Sequence, residues 1–237
     1  MVEAAPELLG GLALTLQLVA VSLLLGFAVA VVVALLRVAP NRLLAALASG
    51  YVFVFRGTPL LVQIFLIYYG LGQFETVRAS LLWTFLREPF WCAILALTLN
   101  TGAYTSEIIR GGIQSVPFGQ LEAARAVGMS GVLLLRRIVL PIAIRQALPA
   151  YGNEIILMVK ATSLASTITL LEVTGIARSL IARTFAPVEI FIVAGAIYLA
   201  LNFLVSVAIR RLEWHLSPHL RDAPAAPSAA PSAIEAR

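Results

Sequence analysis

The feature that most constrains the fold is a stretch of chain, residues 8–36, that contains no Asp, Glu, Lys or Arg. An α-helix needs about 20 consecutive apolar residues to cross the hydrocarbon core of a membrane, and this stretch exceeds that length. A surface helix of a water-soluble protein would instead carry charged residues along one face. The whole chain has the same bias, since 60% of its residues are hydrophobic and only 12% are charged. We therefore predict an all-α integral membrane protein.

Further apolar segments predict about five transmembrane helices in a transmembrane domain that covers residues 1–216. The predicted spans lie near residues 8–36, 43–70, 89–110, 138–160 and 187–209. The second segment is too long for one straight span, and Gly57, Thr58 and Pro59 lie in its middle. Proline lacks a backbone N–H and disfavours helical geometry in the residue before it, so we expect a kink there. Irregular backbone at that depth must face protein or a water-filled cavity.

The basic residues indicate how the spans are oriented. Most arginines fall on the side of the predicted membrane opposite to the N-terminus, and positive charge favours the cytoplasmic face. We therefore predict a multi-pass protein with its N-terminus outside and its C-terminus in the cytoplasm. The net charge of +5 comes from bases at the ends of apolar segments, which argues against a nucleic-acid partner. Residues 217–237 are rich in Pro, Ala and Ser, and we expect a disordered cytoplasmic tail.

The most specific pattern lies in the predicted cytoplasmic loop, residues 111–137, and at the start of the fourth span. Its members are Glu122, Ala123, Ala124, Gly128, Ile138, Leu140 and Pro141. Pro117 is suited to the start of a short helix, the alanines favour its interior, and Gly128 permits a sharp exit. The spacing predicts a cytoplasmic helix and turn suited to docking on another protein.

With this pattern the chain resembles the permease subunits of bacterial ATP-binding-cassette importers. Their cytoplasmic coupling loop contains EAA, three residues, G, nine residues, I, one residue and LP, and every position matches here. The resemblance extends to FRGTPLLVQ at 55–63, TLNTGAYTSEIIRGGIQSVP at 98–117 and LPAYGNEIILMVKATSL at 148–164, which are similar to the polar amino-acid branch. Within that branch they are similar to permeases for histidine, lysine, arginine and ornithine, and for opines. The resemblance implies the five-helix, type I importer permease (MetI-like) fold in a bacterial inner membrane.

The same resemblance implies partners. These are a second homologous permease, a dimer of ATPase subunits that binds ATP and Mg²⁺, a periplasmic solute-binding protein and membrane lipid, with an amino acid or opine as the solute. The helix from Glu122 to Gly128 would fit a groove on the ATPase and relay its movement to the membrane helices. The chain contains no G-x-x-x-x-G-K-[ST] phosphate-binding loop and no catalytic or metal-binding constellation. We therefore expect a non-catalytic subunit with no cofactor of its own.

Two charged residues, Arg56 and Glu154, fall at membrane depth, where each charge costs roughly 2.5–3.5 kcal/mol on insertion scales. One hypothesis is that Glu154 binds the side-chain cation of lysine, arginine or ornithine. The alternative is that Arg56 or Lys160 neutralises Glu154 as part of helix packing. Arg56 itself is suited either to anchoring the kink or to gating and solute binding.

The candidate residues along a solute path are Glu154, Asn153, Arg56, Thr58, Asn100 and Tyr104. The uncharged members can hydrogen-bond an amino acid, or they can join helices to one another. Glu107 and Arg110 have the spacing of an ion pair on one helix face. Residues 161–186 mix apolar with polar residues, and we expect a short helix there, partly covered by protein, in a re-entrant or outer-surface position.

The leading hypothesis is a permease of an ATP-driven importer for polar, in particular basic, amino acids or opines, which works by alternating access. An ion-coupled secondary transporter of amino acids is the alternative, with Glu154 as the ion or proton carrier. A membrane scaffold accounts poorly for buried charge. The sequence leaves open which solute is carried, which permease half binds it, and whether the partner permease is a different chain, although the resemblance favours a heterodimer.

Overall fold

A computed structural model describes residues 4–216, and these are helical almost throughout. In chain order the helices are α1 (Ala4–Gly10), α2 (Leu12–Arg37), α3 (Arg42–Gly57), α4 (Leu60–Phe65), α5 (Glu75–Arg78), α6 (Trp83–Leu86), α7 (Pro89–Gln114), α8 (Phe118–Ala126), α9 (Gly131–Leu134), α10 (Leu140–Ala161), α11 (Val173–Thr184) and α12 (Pro187–Leu216). No strand occurs among these residues, so the all-α class is confirmed. The predicted tail, residues 217–237, lies outside the described part of the chain.

Helix α7 lies at the centre of the bundle. It packs against α2 along most of its length and also contacts α3, α4 and α10. Small and hydroxyl residues make up much of its buried face: Ala93, Ala96, Thr98, Thr101, Gly102, Ala103, Thr105 and Ser106. Such residues let helix backbones approach closely, which favours association in a membrane, where lipid removes the hydrophobic drive between helices. Larger apolar side chains, among them Leu18, Ile64, Leu97 and Met158, fill the core around it.

Only some of the predicted spans are helices whose length and apolar composition suffice to identify them as membrane-crossing. Residues Ala5–Arg37 and Pro187–Leu216 each form a helix long and apolar enough to cross a membrane. The number of candidate membrane spans rises from 2 to 4 if each of two bent pairs of helices counts as one span. These pairs are Arg42–Gly57 with Leu60–Gln73, and Gly131–Ile168 with Val173–Thr184. Helix α7 covers the third predicted span but is not among them, because its polar residues, among them Asn100, Glu107 and Arg110, make it less apolar than those helices. Length and composition alone therefore identify fewer than the five predicted spans.

The predicted kink in the second span is confirmed, and it is a complete break between two helices. Helix α3 ends at Gly57, the backbone is extended at Thr58 and Pro59, and α4 begins at Leu60. The two helical segments meet at 106°. This break follows from local chemistry, since proline provides no N–H for the helix and holds the preceding residue out of helical geometry.

The segment after α10 forms the short, partly covered helix that was predicted. A 3-10 helix over Thr162–Ile168 leads into α11, whose Val173, Ala177 and Leu180 are buried. Glu172 is fully buried and caps α11 by accepting hydrogen bonds from the backbone N–H groups of Thr174 (2.9 Å) and Gly175 (2.8 Å). The hydroxyl of Tyr198 donates to the same carboxylate at 2.6 Å, so Glu172 also fastens α11 to α12.

Helical structure extends beyond the predicted spans, most of all at the fourth and fifth. Helix α9 begins at Gly131, and a π-helical turn over Leu135–Val139 joins it to α10, so helical structure starts before residue 138. At the other end, α12 continues to Leu216 rather than ending near 209. In both places charged residues end the apolar run without ending the helix. The predicted loop 111–137 consequently contains the end of α7, all of α8 and α9, and part of the π-helical turn.

Adjacent glycines near the C-terminal end of α7 test the packing of α7 on α10. A Cβ at Gly112 would lie 2.7 Å from the carbonyl oxygen of Ala143, whereas a Cβ at Gly111 meets nothing within 4 Å. We expect Gly112→Ala to destabilise the bundle by about 1–3 kcal/mol from overpacking. A gain of up to about 1 kcal/mol in helix propensity offsets part of this loss.

Gly111→Ala, the matched control, has the same propensity gain without the clash. The measurement is the thermal midpoint of the detergent-purified complex for both variants. Equal midpoints would contradict the close approach of α7 to α10.

Candidate solute cavity and coupling segment

A cavity of ≈ 650 Å³ opens where the α3–α4 break, α7 and the second half of α10 meet. Its charged and polar lining residues are Arg56, Thr58, Asn100, Tyr104, Glu154, Lys160 and Ser163. All the predicted solute-path residues except Asn153 therefore lie together. Asn153 is exposed and is not part of the lining, because neighbouring residues of a helix point about 100° apart and Glu154 occupies the cavity face.

Glu154 is the acidic group of this cavity. Its side chain is deeply buried, with the residue only 7% exposed, and it lies on α10 opposite α7. One carboxylate oxygen, Oε1, accepts a hydrogen bond of 2.8 Å from the hydroxyl of Thr101. Neither Arg56 nor Lys160 forms a direct ion pair with it in the described structure, although both residues line the same cavity. The other carboxylate oxygen, Oε2, has no hydrogen-bond partner among the described residues.

Arg56 is held by an aromatic ring rather than by a carboxylate. Its guanidinium carbon lies 5.1 Å from the ring centre of Tyr104, the distance of a cation–π contact. The residue is otherwise exposed and lines the cavity. A guanidinium supported from one side by a ring still presents its N–H donors to an anion on the other side.

The side chains of Thr58 and Asn100 form hydrogen bonds at the α3–α4 break. The hydroxyl of Thr58 donates to the carbonyl of Val54 at 2.8 Å, as a residue that caps the last turn of α3. The amide nitrogen of Asn100 donates to the carbonyl of Phe55 at 3.3 Å and to Oε1 of Gln63 at 3.0 Å. The oxygen of the Asn100 side chain has no hydrogen-bond partner in the described structure.

Lys160 lines the cavity near the end of α10, whereas the sequence suggests it only as a partner for Glu154. The feature of the sequence that indicates this position is its spacing from other lining residues. Glu154, Leu157, Lys160 and Ser163 recur every three residues and lie along one slowly turning stripe of lining residues. Charge alone does not separate Lys160 from a lysine that merely ends an apolar helix.

The coupling pattern forms the short helix that was predicted. Helix α8 spans Phe118–Ala126 and follows Pro117, whose backbone is extended. Glu122 and Ala123 are exposed, while Ala124 is buried. Gly128 has a φ of +78°, in the left-handed region that favours glycine, and its N–H donates to the carbonyl of Arg125 at 2.9 Å. The sharp exit after the helix is therefore confirmed.

The rest of the pattern anchors this helix to the membrane helices. Ile138 lies in the π-helical turn, and Leu140 and Pro141 begin α10. Around α8 three large apolar side chains are open to the surroundings: Phe118 is 68% exposed, Val127 is 74% exposed and Val132 is 77% exposed. Large apolar side chains left exposed on a protein surface are typical of a contact with another protein or with lipid.

A charged cluster connects the C-terminal ends of α2 and α7. The predicted ion pair between Glu107 and Arg110 is present, with Nη2 of Arg110 at 2.7 Å from Oε2 of Glu107. Arg37, at the end of α2, pairs with the other oxygen of the same carboxylate. The side chain of Arg110 also donates to Gln114 at 2.6 Å. Two arginines therefore share one carboxylate and tie α2 and α7 together near their C-terminal ends.

Comparison with known proteins gives consistent matches along almost the whole chain. The family described as "Binding-protein-dependent transport system inner membrane component" matches residues 7–217. The nopaline transport system permease protein NocM of Agrobacterium fabrum is 62% identical, over 93% of this chain and 92% of the relative. The octopine transport system permease protein OccM of Rhizobium meliloti is 58% identical, over 90% and 87%. The histidine/lysine/arginine/ornithine permease HisM of Salmonella typhimurium is 42% identical, over 89% and 90%.

Solved structures agree with this assignment. The crystal structure of an amino acid ABC transporter with histidines superposes with a TM-score of 0.82 at 35% identity, and covers 91% of this chain and 96% of that chain. The inward-facing MetNI methionine ABC transporter superposes with a TM-score of 0.72 at 18% identity, over 89% and 96%, which shows the shared fold alone. The predicted type I importer permease fold is therefore confirmed. The chain belongs to the family of binding-protein-dependent transport system inner membrane components.

Proposed function

We propose that this chain is the permease half of an ATP-driven importer that carries opines or basic amino acids by alternating access. The observation that carries the proposal is the cavity at the α3–α4 break, whose lining includes Glu154 and two cationic groups, Arg56 and Lys160. The relatives named for nopaline, octopine and basic amino-acid transport support the same solute classes.

The charges of the cavity favour opines over simple basic amino acids. Glu154 complements a guanidinium or ammonium group, and Arg56 and Lys160 complement carboxylates. A basic amino acid has one cationic side chain and one carboxylate, so it leaves one of the two cationic groups unpaired. Opines that join arginine to a keto acid carry a guanidinium and at least two carboxylates, so they use all three charges. Asn100 supplies a neutral acceptor beside them.

The proposed partners follow from the coupling segment and the family. Helix α8, with exposed Glu122, Ala123 and apolar neighbours, docks on an ATPase dimer that binds ATP and Mg²⁺ and performs the hydrolysis. This chain is then a non-catalytic subunit. A second homologous permease closes the solute path, and a periplasmic binding protein delivers the solute. Docking on a cytoplasmic ATPase places α8 inside the cell, which is consistent with an outside N-terminus and a cytoplasmic C-terminus, as the arginine distribution predicts.

Gly128 tests the coupling role of α8. Gly128→Ala introduces a side chain where φ is +78° and nothing lies within 4 Å, so any effect comes from backbone strain of about 1–2 kcal/mol. We expect ATP-driven uptake in reconstituted vesicles to fall by about 5–30-fold, the factor that corresponds to this energy, because the exit of the coupling helix is displaced.

Gly195→Ala is the control, because Gly195 lies in α12, outside the coupling segment, and its Cβ also meets nothing within 4 Å. Its uptake should equal that of the native protein. If Gly128→Ala transports at the native rate as well, the backbone turn after α8 has no part in coupling.

Glu154→Gln tests the cation contact. The amide keeps the size of the side chain and removes its charge, so we expect uptake of labelled arginine, lysine and octopine to fall at least about tenfold, since a charged hydrogen bond is worth about 1.5–3 kcal/mol. Uptake of histidine should be affected less, because its imidazole side chain is mostly uncharged at pH 7.5. ATP hydrolysis by the ATPase subunits should persist.

The control is Glu189→Gln, an exposed glutamate outside the cavity. Equal loss of all solutes would show a general defect rather than loss of a cation contact. Uptake by the native chain without ATP or partner subunits would instead support an ion-coupled secondary transporter.

Lys160→Gln separates opines from basic amino acids. Loss of the second cationic group should lower uptake of octopine, with two carboxylates, at least about fivefold more than uptake of arginine, with one. Lys160→Arg should restore most of the octopine uptake because it restores the charge. A parallel decrease for both solutes would contradict the assignment of Lys160 to a second carboxylate.

A further inference from the structure

Gln63 is the most highly connected polar side chain beside the cavity, although it is not part of the lining. The residue lies in α4 and is only 6% exposed. The two N–H groups of its amide nitrogen are shared among three acceptors, the carbonyl of Phe55 at 2.9 Å, the carbonyl of Thr58 at 3.1 Å and the hydroxyl of Thr58 at 2.9 Å. Its amide oxygen accepts from Asn100 at 3.0 Å. One side chain therefore joins α4, the end of α3 and the central helix α7.

The break leaves a backbone group that requires such a partner. In a continuous helix the carbonyl of Phe55 would accept from the N–H of residue 59, and Pro59 has none. An unpaired carbonyl inside a membrane protein is strongly unfavourable. The side-chain amides of Gln63 and Asn100 both donate to this oxygen, at 2.9 and 3.3 Å. They replace the backbone donor that proline removed.

These bonds fix the position of Arg56. The two carbonyls that Gln63 holds belong to Phe55 and Thr58, on either side of Arg56 in the chain. The side chain of Arg56 rests on Tyr104, one helical turn beyond Asn100 on α7. The Gln63 to Asn100 bond and the Arg56 to Tyr104 contact are thus two adjacent links between the break and α7. Loss of the first link frees the backbone that carries the second.

We infer that Gln63 is a positioning residue, which holds the α3–α4 break in the shape that presents the Arg56 guanidinium to a solute carboxylate. The inference rests on the proposed function, since it takes the cavity as the solute site. It also changes the role of two candidates. Thr58 and the amide nitrogen of Asn100 serve this framework, and only the amide oxygen of Asn100 remains for the solute.

The chemistry requires glutamine because the position needs a donor and an acceptor at once. A glutamate accepts from Asn100 but, when ionised, cannot donate to the carbonyls of Phe55 and Thr58. A methionine of similar length fills the space without making any of these bonds. Gln63→Met and Gln63→Glu therefore remove the same donor by different means, and agreement between them excludes an effect of side-chain volume alone.

The experiment is a double-mutant cycle on octopine uptake by the complete reconstituted complex. The variants are Gln63→Met, Arg56→Gln and the two combined, with Gln63→Glu as the second replacement. Because Gln63 acts through Arg56, each single variant should raise the KM for uptake about tenfold, with kcat within about twofold of native, which matches loss of one charged or buried hydrogen bond. The double variant should have the KM of Arg56→Gln alone. Gln73→Met, a change at an exposed glutamine outside the cavity, is the control.

A second readout does not depend on transport. A spin label attached through Arg56→Cys should become more mobile when Gln63→Met is added, while the native thiol of Cys92 is buried and stays unlabelled. Unchanged mobility overturns the inference even if transport fails for other reasons. KM effects that multiply in the double variant, or a Gln63→Met defect in kcat alone, overturn it as well. Absence of ATP-driven uptake by the native complex overturns the proposed function instead, and the label still tests the role of Gln63.

Discussion

The requirement that every backbone polar group find a partner inside the membrane determines how this chain is built. Regular helices satisfy this requirement along most of the described residues. The α3–α4 break does not, because the carbonyl of Phe55 would pair with the N–H of residue 59, and Pro59 has none. The side chains that repair this violation come from α4 and α7, so the break is attached to the central helix. An irregular wall next to a polar cavity is therefore a stable part of the fold rather than a point of weakness.

Features set by local chemistry were predictable from the sequence. Proline at 59 and glycine at 128 act on their own backbone, so the break and the sharp exit from α8 follow from residue type. The pairing of Glu107 with Arg110 follows from helical spacing in the same way. The EAA pattern identified the family because its residues lie close together in the chain and keep their spacing.

Features that depend on contacts between distant segments were not predictable. Arg37 is far from Glu107 in the chain, and nothing near either residue indicates that the end of α2 reaches that carboxylate. Thr101 pairs with Glu154 because α7 and α10 cross at that level, whereas charge alone suggested Arg56 or Lys160. Asn153 and Glu154 are neighbours in sequence, and only the rotation of α10 decides which of them faces the cavity. Gln63 is one polar residue in an apolar run, and nothing near it in the sequence indicates its bonds to Asn100 and Phe55.

The continuity of α7 has a mechanical consequence. The helix carries cavity residues at Asn100 and Tyr104, the shared carboxylate at Glu107 and the last turn before α8 at Gln114. Tyr104 and Gln114 are separated by about 15 Å of unbroken helix, at a rise of about 1.5 Å per residue. Over so short a length a helix bends very little, so a displacement at its C-terminal end reaches the cavity wall nearly undiminished. Under the proposed function, the distance between the docked ATPase and the solute is bridged by the stiffness of this one helix, without a chain of intermediate side-chain rearrangements.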